Sequence, residues 1–183
     1  MSSIYSPAED SFLLLSILKE EIPKIILKNK NFKVLEIGSG SGVQLNALSE
    51  IGIKNKNIFA CDINPNAVRH CKKLGFNCVQ SNLFEKISGK FNLIIFNPPY
   101  LPEDSAEPKE SALATTGGKK GGEIINLFLQ QAKKHLTKDG KIFLLTSSLT
   151  KRINWEGYNK KIIGKQKLFF EELQVWEVRS LLE

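Results

Sequence analysis

The sequence predicts an α/β fold: one domain on a mostly parallel, seven-stranded sheet with helices on both faces and a C-terminal antiparallel strand pair. Three observations carry that expectation. Short apolar runs alternate with helical patterns along most of the chain. The runs are apolar at nearly every position, as strands buried on both faces are. Three of them stop abruptly in turn residues, at Gly38, before Asn64-Pro65, and at Asn97-Pro98-Pro99. At 183 residues the chain suits one domain with a sizeable core and is short for two.

Taken in order, "DSFLLLSILKEEIPKIIL" reads as a helix from about Asp10 that Pro23 kinks or divides. "KVLEIG", residues 33–38, is a short strand closing on glycine. "QLNALSEIG" has helical spacing, with Gly52 as its C-cap. "NIFACDI" (57–63) is the second strand, and "NPNAVRHCKKLG" the next helix, with Asn64 as N-cap, Pro65 at N1 and Gly75 at its close. "NCVQSNLF" and "FNLIIFN" (91–97) follow as strands three and four. A polar loop runs from Leu101 to about Gly118, and loops this long are usually functional or mobile. "GEIINLFLQQAKKHL" is a helix, "KIFLLTSS" the fifth strand after an Asp139-Gly140 turn, and "KKIIGKQKLFF" and "LQVWEVRS" the closing pair.

Composition narrows the class of protein. A hydrophobic fraction of 42% and a charged fraction of 25% are ordinary for a globular domain. No apolar run approaches the roughly 20 residues that span a bilayer, and "MSSIYSPAEDSF" lacks a signal-peptide pattern. Cys61, Cys71 and Cys78 form no CxxC pair, which argues against a disulfide framework or cysteine zinc site and for the cytoplasm. The net charge is +7, and from Lys119 onward 13 Lys and Arg face 7 Asp and Glu. That excess suits either attraction to phosphate or a plainly solvated surface. His70 and His135 have no ligand-like spacing and read as surface or helix-face residues.

Ligands of open α/β sheets bind beyond the carboxyl ends of the strands, and the informative residues gather there. "EIGSGSG" places Glu36, Gly38, Gly40 and Gly42 after the first strand. Its G-x-G-x-G spacing differs from the G-x-G-x-x-G of dinucleotide sites, and Glu36 would repel phosphate while accepting an ammonium group. Asp62 ends the second strand, where an acid can accept from both hydroxyls of a ribose. Alone it reads equally well as a turn residue. With the glycine loop and "SNLF", the ribose reading is favoured, and Asn82 and Leu83 would flank an adenine.

The corner "NPPY" poses the chemical question. An amide or exocyclic amine is a poor nucleophile, because its lone pair is delocalised. The Asn97 oxygen and the Pro98 carbonyl are suited to accept both N–H groups, with Pro98 and Pro99 holding the corner rigid. Tyr100 can stack on the flat target. The plainer reading, a strand ended by a turn, keeps real weight for Asn-Pro alone.

In this order, "EIGSGSG", "CDINPNA", "SNLF" and "FNPPY" resemble a Rossmann-like class I methyltransferase that uses S-adenosylmethionine to methylate amino nitrogens. "YSPAEDSFLLL" and "GGKKGGEIINLF" narrow the resemblance to the archaeal and eukaryotic branch of HemK-type protein-glutamine methyltransferases. It covers residues 4 to about 146. The resemblance implies a single methyltransferase domain over 1–183, with 1–30 covering the cofactor and 101–118 on the substrate side. It implies methylation of the glutamine of the GGQ motif in a class I release factor, and a small zinc-binding activator that covers an apolar strand edge. It implies that Ser11, Glu36, Gly38, Gly40, Gly42, Asp62, Ile63, Asn82, Leu83 and Asn97 line the cofactor, and that Asn97, Pro98, Pro99 and Tyr100 hold the target amide. Tyr5 and Pro7 would shape the entrance. No metal and no membrane enter this scheme.

The chain departs from the family pattern at Asn82, where an aspartate is usual, and in 150–168, where "KRINWEGYNK" gives weak support for a helix before the last strands. A nucleic-acid amine methyltransferase, of adenine-N6 or guanine-N2 type, is the main alternative. It lacks space for a target-recognition domain and must flip its base. A non-catalytic binding protein and a nucleotide-dependent dehydrogenase rank lower.

Overall fold

The computed structural model describes residues 4–26, 29, 31–103 and 115–181. The centre of the polar loop, 104–114, therefore lies outside the described residues. The elements run α1 (Glu9–Ile26), β1 (Val34–Ile37), α2 (Val43–Glu50), β2 (Ile58–Asp62), α3 (Pro65–Lys73), β3 (Asn77–Gln80), β4 (Phe91–Phe96), α4 (Glu123–Ala132), β5 (Leu136–Ser147), β6 (Tyr158–Lys167) and β7 (Glu172–Ser180).

These strands form one seven-stranded sheet in the order β3-β2-β1-β4-β5-β7-β6. The first five are parallel, and β7 pairs antiparallel with both β5 and β6. The order reverses between β1 and β4, the place where such sheets open a crevice for ligands.

Alternate side chains of the strands enter two cores. Val34, Ile58, Leu93, Ile95, Phe143 and Val175 face α1, α2 and α3; Leu35, Cys61, Ile94, Phe96, Ile142 and Val178 face α4 and the segment Leu83–Phe84. Burial on both faces is why the strands read as unbroken apolar runs. In β4, Leu93, Ile94 and Ile95 are all fully buried, each contributing about 1.5–3 kcal/mol.

The start of α3 follows its cap. Asn64 accepts from the Asn66 N–H, and Pro65 opens α3 where no donor is lost. At Pro23 the helix is not divided: the proline lies inside the single helix α1. Two expectations are revised. The third strand ends at Gln80, because Ser81 and Asn82 begin a turn that Leu83 continues at φ 47. Asp139-Gly140 does not precede β5 but lies within it, as an irregularity between the pairs Phe91–Leu136 and Leu93–Lys141.

Between β5 and β6 no helix forms among the described residues. The chain turns through 148–157 directly into β6. Of the two edge strands, β3 turns Asn77 and Gln80 to solvent and β6 carries four lysines, so neither edge is uniformly apolar. No helix in the described residues is long and apolar enough to cross a membrane.

Candidate active site

Strand register lines up the tips that matter. Ile37 of β1 lies opposite Cys61 of β2 and Phe96 of β4. Gly38, Asp62 and Asn97 are the next residues along each chain, so they stand side by side. The glycine turn is tied across this row: the Gly38 N–H donates to the Cys61 carbonyl at 2.8 Å, and the Gly40 N–H to Asp62 Oδ2 at 2.8 Å. Gly38, Gly40 and Gly42 hold φ values of 71, 49 and 75, which only glycine adopts freely. A side chain at Gly40 would project into open space, so the glycine there keeps the turn's outer face bare.

Two carboxyls sit under this turn. Asp62 Oδ1 accepts the Asn64 N–H at 2.8 Å, so the acid braces both the glycine turn and the start of α3. Burial pushes its pKa up, and the backbone donors of Gly40, Asn64 and Ile63 oppose that shift. Glu36 is 3% exposed, and its Oε2 has no hydrogen-bond partner. Burial raises its carboxyl well above the usual range, and the nearby Cys71 and Asp62 add to this. A buried acceptor without a donor is costly unless a cation or N–H group meets it. The Glu36 acceptor therefore fits a ligand's ammonium group, while Asp62, each oxygen of which already takes one backbone N–H, keeps further lone pairs for a ligand's hydroxyls.

The corner after β4 is held from the first helix. The Asn97 side-chain N–H donates to Asp10 Oδ2 at 3.1 Å, and Asn97 Oδ1 is buried with no partner. A carboxylate can only accept, so Asp10 dictates which way the Asn97 amide faces and leaves its oxygen as the free acceptor. Asp10 itself is 5% exposed and takes the Tyr5 hydroxyl at 3.2 Å as well as the N–H and hydroxyl of Ser11. Tyr100 packs against both cores. Burial, then the charges of Asp10 and Glu171, raise its hydroxyl pKa, so it stays neutral at physiological pH.

Behind the corner lies the segment 117–122. A Cβ on Gly117 would stand 2.5 Å from the Pro99 carbonyl oxygen, and one on Gly121 only 2.4 Å from that of Tyr100. In "GGKKGG", Gly117, Gly121 and Gly122 let backbone press directly on backbone, and Gly118 holds a φ of 109 against the Glu123 side chain. Thr150 Oγ1 donates to the Tyr100 carbonyl at 2.9 Å, clamping the corner from β5's end.

The structure thus brings Glu36, Gly38, Asp62, Asn97 and Ser11 into one neighbourhood, with Tyr100 at its rim. Ile63 follows β2 and is 52% exposed. Asn82 is exposed, and its Nδ2 donates to Glu85 Oε1 at 3.0 Å, which leaves Oδ1 as its acceptor. Leu83 is only 7% exposed and belongs to a core, and its left-handed backbone is the strained kind that gathers at functional sites. His70 bonds the Ser41 carbonyl, and His135 stacks on Phe84, both structural contacts.

Sequence reasoning missed Asp10. Its signal was present: Asp10 begins the buried stripe that Leu13, Leu14 and Ile17 continue at helical spacing, so an acid sits where the helix faces the core. No group of three or more His, Cys, Asp or Glu among the described residues could hold a metal ion.

Comparison with known proteins gives consistent matches. A family model described as "Methyltransferase small domain" matches residues 9–154. A Methanocaldococcus jannaschii protein named putative protein N5-glutamine methyltransferase is 39% identical over 94% of this chain and 89% of its own length. The Schizosaccharomyces pombe protein named eRF1 methyltransferase catalytic subunit mtq2 is 32% identical over 81% of this chain and 74% of its own. Among solved structures, the E. cuniculi Mtq2-Trm112 complex, described as responsible for methylating eRF1, superposes with a TM-score of 0.72 at 24% identity, covering 99% of this chain and 100% of that one.

Proposed function

The chain belongs to the methyltransferase small domain family and, within it, to the protein N5-glutamine methyltransferases, and from that premise we propose that it methylates the side-chain amide of a glutamine, in the GGQ motif of a class I release factor. The observation that carries this reading is the Asn97 amide, oriented by Asp10 so that a buried, unpartnered oxygen faces away from the helix that holds it.

S-adenosylmethionine, when bound, supplies an electrophilic methyl group on a sulfonium. Glu36, Ser11 and the turn of Gly38, Gly40 and Gly42 would hold its amino-acid end, Asp62 its ribose, and Ile63, Asn82 and Leu83 its adenine. On the substrate side, Asn97 Oδ1 and the Pro98 carbonyl accept the two N–H groups of the target amide. These bonds move electron density onto nitrogen and aim its lone pair. Because both acceptors are fixed before the target arrives, little reorganisation accompanies transfer. Tyr100, kept neutral, is not the base; it offers a wall for the flat amide. On gaining the methyl group the nitrogen becomes cationic and strongly acidic and then gives one proton to water, so no strong base is required.

The relatives support a partner as well. The neighbouring structure is a two-protein complex, and β3 here is an open sheet edge that a second chain could extend. We infer a small zinc-binding activator subunit that docks on this domain.

The test is a labelled methyl donor offered with a release factor, with and without the activator, beside RNA and DNA. Label in the factor that disappears when its GGQ glutamine is replaced supports the reading. Label in nucleic acid alone overturns it in favour of a nucleic-acid amine methyltransferase.

A further inference from the structure

Among the described residues, three buried side-chain oxygens have no hydrogen-bond partner: Glu36 Oε2, Asn97 Oδ1 and Glu171 Oε2. The proposed reaction uses the first two. The third lies in the turn between β6 and β7, which has no part in it so far.

Topology places that turn at the reactive end of the sheet. Because β7 is antiparallel to both β5 and β6, β6 runs with the parallel strands. Its carboxyl end, and the turn 168–171 that follows, therefore emerge where Gly38, Asp62 and Asn97 do. The turn is anchored there. Leu168 packs on the same core as Tyr100, and its N–H donates to the Glu171 carbonyl at 2.8 Å. Glu172 exchanges two bonds with Ser148, just past the end of β5, at 2.9 and 3.0 Å. The charge of Glu171 reaches both Tyr5 and Tyr100 and raises their hydroxyl pKa values.

From this anchored base two aromatic rings project. Phe169 is 92% exposed and Phe170 84%, their rings edge-to-face with centroids 4.7 Å apart. Beyond their contact with each other folding buries little of either ring, and such rings form strong anchors when a partner covers them.

We propose that the β6–β7 turn is a docking element for the protein substrate, Phe169 and Phe170 gripping an apolar side chain near the target glutamine and Glu171 receiving a cationic or N–H group of the same segment. This rests on the reading of a protein glutamine substrate. Aromatic pairs also stack on nucleic-acid bases. Here, though, the carboxylate of Glu171, with its Oε2 unpartnered, follows them in the same turn and would repel phosphate, which favours a basic peptide flank.

The experiment compares wild type, the double variant Phe169→Ala/Phe170→Ala, and Glu171→Gln, using the release factor with and without the activator. Binding of S-adenosylhomocysteine serves as the fold control. The double variant should raise KM for the factor about tenfold or more, and Glu171→Gln several-fold, with kcat and cofactor affinity near wild type. An active wild type with unchanged KM in both variants overturns the docking role alone. Loss of activator binding in the double variant reassigns the aromatic pair to that partner and also overturns it. A wild type that methylates no factor under any condition fails the underlying reading instead.

Discussion

Asp10 and Asn97 are 87 residues apart in sequence, yet they share a hydrogen bond of 3.1 Å that fixes the orientation of the amide at the NPPY corner. Asp10→Ala leaves the Asn97 N–H₂ group without its acceptor and lets the amide turn its donors toward the target. We expect kcat to fall about 10²-fold, with the dissociation constant for S-adenosylmethionine changed little. Calorimetry beside steady-state kinetics checks this. A parallel loss of cofactor binding would mean that Asp10 only places α1.

Asn97→Ala removes the acceptor itself. Transfer should fall by about 10³-fold or more, while S-adenosylhomocysteine still binds. Loss of both in equal measure would assign Asn97 a purely structural role beside the glycine turn.

Glu36 ties stability to pH. Its folded-state pKa is raised by burial, so the free protein binds its proton more tightly than the unfolded chain does. That contribution is present below the unfolded carboxylate pKa of about 4.3 and is lost as pH rises through the raised folded value. Glu36→Gln removes the titration. The variant should gain stability relative to wild type as pH increases, read from urea unfolding at several pH values, while its cofactor affinity drops. A gap that stays flat with pH would contradict this. In wild type, cofactor binding should release a proton, seen as a buffer-dependent heat.

The glycines behind the corner offer a separate test. Gly121→Ala puts a Cβ 2.4 Å from the Tyr100 carbonyl, at a φ of 79. Backbone must move, at a cost of about 1–3 kcal/mol, and the moved backbone is that of the NPPY corner. Both the urea midpoint and kcat should fall. A loss of stability with kcat preserved would show that the corner tolerates displacement.

Much of the layout of this candidate site was legible in the sequence because strand tips carry it. "EIGSGSG", Asp62 and "NPPY" sit where apolar runs end, and parallel pairing brings such ends together without further information. The helix caps at Asn64 and Pro65 were legible for the same local reason. What escaped was long-range. Asp10 matters through a partner 87 residues away, and only its place in an apolar stripe marked it. The role of Gly117 and Gly121 depends on which backbone they press against, which turn-residue statistics do not contain. The irregularity at Asp139-Gly140 was misplaced because turn propensity was read without the β4 partner that β5 pairs with on either side.

The close packing of α1 on β6 has a consequence in time. Gly164 leaves room for Ile17, whose side chain would lie 2.6 Å from any Cβ there, so the helix that presents Asp10 rests partly on a strand made long after it. During synthesis α1 emerges well before β6 and has no complete surface to settle on until that strand follows. The support beneath Asp10 is thus completed in two instalments, by α2 soon after α1 is made and by β6 more than a hundred residues later.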